Sequence, residues 1–70
     1  MSAQLKINGE MKIFDEGLPE TLTALLEKLN IDAATVVAEI DGHIIERKDF
    51  TQTSLSGGQA IELIRFVGGG

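Results

Sequence analysis

The chain has 70 residues, which is room for one small domain and not for a two-domain enzyme with a cleft between its halves. Hydrophobic residues make up 43% and charged residues 24%, a globular mix rather than a disordered one. Eleven acidic against six basic residues leave a net charge of −5, which disfavours nucleic acid and anionic membrane as partners and favours basic protein surfaces.

There is no cysteine. Disulfides, thiolate zinc sites, iron–sulfur ligation and thiol nucleophiles are therefore excluded, and the core alone must hold the fold. The opening residues carry no signal-like apolar core, and no apolar run reaches the length of a membrane span. The expected location is the cytoplasm.

From Ala3 to Phe14 the pattern is a β-hairpin. Ala3, Leu5 and Ile7 alternate with polar residues, Asn8-Gly9 supplies a tight turn, and Met11 and Ile13 alternate on the return strand. After Asp15-Glu16-Gly17, the residues Leu22, Leu25, Leu26 and Leu29 form one stripe at helical spacing. Thr21 is the expected N-cap, with Pro19 as the alternative start, and Glu20 near the start suits the helix dipole. Asn30 ends the helix and Ile31 packs back. The stripe covers only about two turns, so it reads as a core-facing helix rather than a coiled-coil seam.

Val36 to Asp41 is strand-like, with Val36, Ala38 and Ile40 on one face. Asp41-Gly42 is a second hairpin signal and Ile44-Ile45 begins the return. Arg47 to Asp49 is polar, and Thr51 to Gln59 reads as loop. Ala60 to Val67 is a last strand, with Ile61, Leu63 and Arg65 on one face and Glu62, Ile64 and Phe66 on the other. The last strand follows the first at a distance that permits a parallel central pairing. The expected fold is α+β, a β-grasp: a mixed sheet of about five strands in ββαββ order, plus a short strand or turn region, covered on one face by one helix. The domain spans 1–67, and 68–70 form a glycine tail.

No catalytic constellation is present. His43 is a lone turn histidine with no second ligand beside it. Ser54 and Ser56 lack a nucleophile-elbow setting, and Gly57-Gly58 lacks the residues of a phosphate loop and precedes a strand. Gly68-Gly69-Gly70 has two readings, a frayed end or a functional tail. Glycine makes the narrowest polypeptide, and three extended residues reach roughly 10 Å, enough to enter a tunnel closed to bulkier residues. The Gly70 carboxylate has no β-carbon beside it.

Several segments together shift the balance toward function. Asn8-Gly9-Glu10, the Thr21 and Leu25-Leu26-Leu29 helix, Ala38-Glu39 with Asp41-Gly42, Ile44-Ile45 and Arg47, then Thr53, Leu55 and Gly58, resemble the ThiS family of sulfur carriers, a ubiquitin-like β-grasp family. The most specific match is the ending, Ile61-Glu62-Leu63-Ile64 followed by Phe66-Val67-Gly68-Gly69-Gly70. Glu46 stands where the family often has proline, and Gln59 where it often has aspartate.

The resemblance implies a non-enzymatic carrier with no bound cofactor. A ThiF-like adenylyltransferase would use ATP to adenylate Gly70, and sulfur from a cysteine desulfurase would convert it to a thiocarboxylate. Thiazole synthase would consume that sulfur in making the thiazole of thiamine. Gly68 and Gly69 would thread partner active sites. Ile61 and Leu63 are assigned to the face under the helix, which leaves Ile64, Phe66 and Val67 for partner docking. The alternatives are a carrier resembling the small subunit of molybdopterin synthase, a ubiquitin-like modifier or interaction module, and a structural domain with an idle tail.

Overall fold

The computed structural model describes residues 2–66. Five strands and one α-helix follow in the order β1 (Ala3–Ile7), β2 (Glu10–Phe14), α1 (Leu22–Lys28), β3 (Val36–Ile40), β4 (His43–Ile45) and β5 (Ala60–Arg65). Two 3-10 segments, Ala33–Thr35 and Arg47–Gln52, lie in the connections. The sheet order is β2-β1-β5-β3-β4, with β5 central. Its pairing with β1 is parallel and the other pairings are antiparallel. This is the α+β architecture expected from the pattern of residues.

Both hairpins turn through two residues with positive φ: Asn8 at 51° and Gly9 at 82°, then Asp41 at 50° and Gly42 at 86°. Such turns match the right-handed twist of the strands they join, and Asn, Asp and Gly adopt them most readily. The helix starts where Thr21 accepts a hydrogen bond from the Ala24 N–H at 3.1 Å. Glu20 thus precedes the cap and lies outside the first turn, contrary to the expected dipole contact. At the other end Asn30 takes φ 58°, its N–H donates to the Glu27 carbonyl, and the Ile31 N–H donates to the Leu26 carbonyl. That is a Schellman closure with asparagine in the left-handed position, and Ile31 folds back onto the core.

Leu22, Leu25 and Leu26 of α1 pack on Leu5, Ile7, Val36, Ala38, Ile40, Ile61 and Leu63 of the sheet, with Phe14 and Phe50 closing the sides. Leu5, Leu22, Leu25 and Ala38 are wholly buried. Each buried aliphatic side chain of leucine size contributes on the order of 1.5–3 kcal/mol. No charged or polar residue is buried among those described.

Two stretches differ from the sequence expectation. Arg47 to Gln52 is a 3-10 helix rather than a polar stretch running into a loop, because Phe50 is buried and draws the segment against α1. The last strand ends at Arg65 instead of reaching Val67 among the described residues. The Phe66 N–H still donates to the Thr35 carbonyl at 3.1 Å, one step beyond the last strand residue.

Candidate functional site

The helix covers one face of the sheet and leaves the other open. Alternation along β5 puts Ile61 and Leu63 under α1, as assigned from sequence, and turns Glu62 and Ile64 outward. Ile64 is 53% exposed and Phe66 49% exposed. Strand register adds neighbours that sequence reading did not identify. Val37 of β3 lies directly opposite Ile64, and Glu39 lies opposite both Glu62 and Ile44. Ile44 is 68% exposed. Val37, Ile44, Ile64 and Phe66 are therefore apolar residues exposed around β3–β5, where β5 leads toward the glycine tail.

A signal for Val37 was present in the sequence. Val36, Ala38 and Ile40 on one face leave Val37 and Glu39 on the other. What one strand's pattern lacks is its cross-strand partner. The outward side of β2 also carries apolar residues, Met11 and Ile13. Lys6 on β1 lies opposite Met11 and separates that pair from the β5 group.

The end of β5 is hydrogen-bonded to the segment before β3. Thr35 accepts from the Phe66 N–H, and Thr35 is itself held by Asp32: its N–H and its hydroxyl both donate to the Asp32 carbonyl, at 2.9 and 2.7 Å. The Asp32 carboxylate caps the same turn through the Ala34 N–H. Residues 67–70 follow from that anchor. Val67, Gly68, Gly69 and Gly70, all assigned functional roles from sequence, lie outside the described residues.

Other surfaces offer little chemistry. A cavity of about 400 Å3 between the end of β2 and the end of α1 is lined by Lys12, Phe14, Asp15, Glu16 and Lys28, among others, with charges of both signs. It is separated from β5 by β1. His43 is exposed at the β3–β4 turn. Among the described residues no group of three histidine, aspartate or glutamate side chains is placed to hold a metal, and no helix is long and apolar enough to cross a membrane.

Residues 5–70 match the ThiS family model, which takes in the open-face residues and the glycine tail. The chain belongs to the ThiS family. The crystal structure of a thiamine biosynthesis protein (ThiS) from Geobacter metallireducens superposes with a TM-score of 0.82 at 34% identity, covering 96% of this chain and 99% of that one. A solution NMR structure of a thiamine biosynthesis protein from the same organism gives a TM-score of 0.78 at 34% identity, covering 96% and 87%. A thiazole synthase from Paramagnetospirillum magneticum is 33% identical over 67 residues, 96% of this chain. The chain spans about a fifth of the length of that curated relative, 20%. These likenesses bear out the ubiquitin-like β-grasp expected for the family.

Proposed function

We propose that this ThiS-family chain is a sulfur carrier for thiazole formation in thiamine biosynthesis, with the Gly70 carboxylate as the point of attachment. The family match through the glycine tail is the observation that carries the reading. The likeness to a thiazole synthase supports thiazole over pterin as the destination of the sulfur.

The chemistry follows from the carboxylate. A carboxylate is a poor electrophile because its leaving group would be oxide. A ThiF-like adenylyltransferase would let the Gly70 carboxylate attack the α-phosphorus of ATP, releasing pyrophosphate and forming an acyl adenylate. A cysteine desulfurase would supply the sulfur as an enzyme persulfide, whose outer sulfur attacks the acyl carbon; the C–O bond to AMP breaks and AMP leaves. A thiol reductant then attacks the inner sulfur of the resulting acyl disulfide, the S–S bond breaks, a mixed disulfide departs, and a thiocarboxylate remains. Thiazole synthase would take that sulfur for the ring. With no cysteine in the chain, no persulfide can form on a side chain, and the tail is left as the carrier group.

In this reading the chain supplies position rather than catalysis. The Thr35–Phe66 hydrogen bond holds the last described residue before the tail. Gly68 and Gly69 would let the tail enter a narrow channel. Ile64, Phe66 and Val67 would dock the partner, joined by Val37. The cytoplasm, where ATP is available, is the proposed location.

Removing Gly70 tests the reading. The shortened chain should fold as before and support no thiazole formation with the complete partner set. Thiazole formation at the full rate by that variant would refute the assignment.

A further inference from the structure

Glu39 and Glu62 are directly opposite each other on the open face, in the β3–β5 register. Like charges at directly opposed positions of an antiparallel pair destabilise a sheet. Neither residue has a cationic side chain within 4.0 Å, since the ion pair found among the described residues joins Lys48 to Glu46. Lys6, the cation on the adjoining strand, is in register with Ala60, two residues before Glu62. The acidic pair is also set among exposed apolar residues: Ile64 and Val37 form the next outward-facing cross-strand pair, and Ile44 lies opposite Glu39 on the other side. Two uncompensated carboxylates bordered by apolar side chains suit a protein surface that brings its own cation.

We infer that Glu39 and Glu62 together receive an arginine of the thiazole synthase that accepts the tail, with Ile64, Val37 and Ile44 packing around it. This rests on the carrier reading above and adds the chemistry that the partner must present. Arginine fits better than lysine. Its planar guanidinium can donate to two carboxylates at once, and its weaker hydration lowers the cost of placing it among apolar groups. The acidic balance of the whole chain, −5, would add long-range attraction to a basic patch. The repulsion within the free carrier would be relieved in the complex, so the pair favours the bound state over the free one.

The test is a binding titration of the full 70-residue chain against thiazole synthase from the same source, at low and high salt, with melting curves for every variant. Glu39→Gln and Glu62→Gln should each weaken binding about tenfold. Each should flatten the salt dependence, and each should melt at or above the wild-type temperature. Glu62→Lys should weaken binding further than Glu62→Gln. Glu27→Gln, on the exposed side of α1, makes the same change in net charge and should leave binding unchanged. If the wild type binds and both Gln variants bind within about twofold of it, with unaltered salt dependence, the arginine site is wrong and the carrier reading stands. Weakened binding accompanied by a lowered melting temperature would also overturn the site, because the loss would then be structural. A wild-type chain that accepts sulfur yet does not bind thiazole synthase would remove the thiazole destination and this inference together.

Discussion

The side chain of Asn8 and the backbone of Leu63 exchange two hydrogen bonds across 55 residues of sequence. Leu63 N–H donates to Asn8 Oδ1 at 2.7 Å, and Asn8 Nδ2 donates to the Leu63 carbonyl at 3.2 Å. The Asn8 N–H adds a third bond, to the Ile61 carbonyl at 2.9 Å. Strand β1 ends at Ile7, and its register with β5 comprises only two residue pairs. The Asn8 amide therefore stands in for the next peptide group of a parallel ladder while its own backbone makes the hairpin turn. Asn8→Gly keeps the positive φ and removes the side-chain bonds, and should cost about 1–2 kcal/mol in urea unfolding. Asn8→Asp keeps the acceptor but turns an oxygen toward the Leu63 carbonyl, and should cost at least as much.

Asp41 does a related job at the start of β5. Its N–H donates to the Ala60 carbonyl at 2.8 Å, and its carboxylate accepts from the Ala60 N–H at 2.9 Å. Asp41→Asn retains the acceptor and tolerates φ 50°, so unfolding free energy should stay within about 0.5 kcal/mol of wild type. Asp41→Ala loses both advantages and should cost about 1–3 kcal/mol by the same measurement.

The helix stop is open to improvement. Asn30 occupies the left-handed position of the Schellman closure at φ 58°. Glycine meets no β-carbon penalty there, so Asn30→Gly should be stabilising or neutral, whereas a β-branched Asn30→Val should cost about 1–2 kcal/mol. Thermal melts of the pair check the order.

Much of this architecture was legible in the residues. Asn8-Gly9 and Asp41-Gly42 marked both hairpins because few other dipeptides take two positive φ values cheaply. The leucine spacing located α1, and Thr21 and Asn30 marked its ends. The face of β5 under the helix was also assigned correctly from Ile61 and Leu63. The cross-strand meetings were not legible: Val37 with Ile64, Glu39 with Glu62, and the Asn8 clamp on Leu63 depend on strand order and register, which no local pattern encodes. The 3-10 helix around Phe50 was missed because one buried aromatic organises a stretch whose other residues are polar. The strand end at Arg65 was missed because the apolar pattern continues through Phe66 and Val67.

Exposure separates docking from stability on β5. Ile64→Asp loses the cross-strand pair with Val37 and adds a charge near Glu39 and Glu62, and should cost about 1–2 kcal/mol of unfolding free energy. It should reduce association with the adenylyltransferase and thiazole synthase strongly. Leu63→Ala, one residue away on the buried face of the same strand, should do the reverse first: it should lower stability by about 2–5 kcal/mol. Melting curves run beside binding titrations distinguish the two.

The carrier role rests on the glycine tail. Intact mass of the chain, after incubation with ATP, sulfide and an active ThiF-like adenylyltransferase, tests it most directly. The mass should rise by the replacement of one oxygen with sulfur, located at Gly70 by fragmentation and abolished when Gly70 is deleted. An unchanged mass with a demonstrably active adenylyltransferase, or sulfur located anywhere other than Gly70, would contradict it.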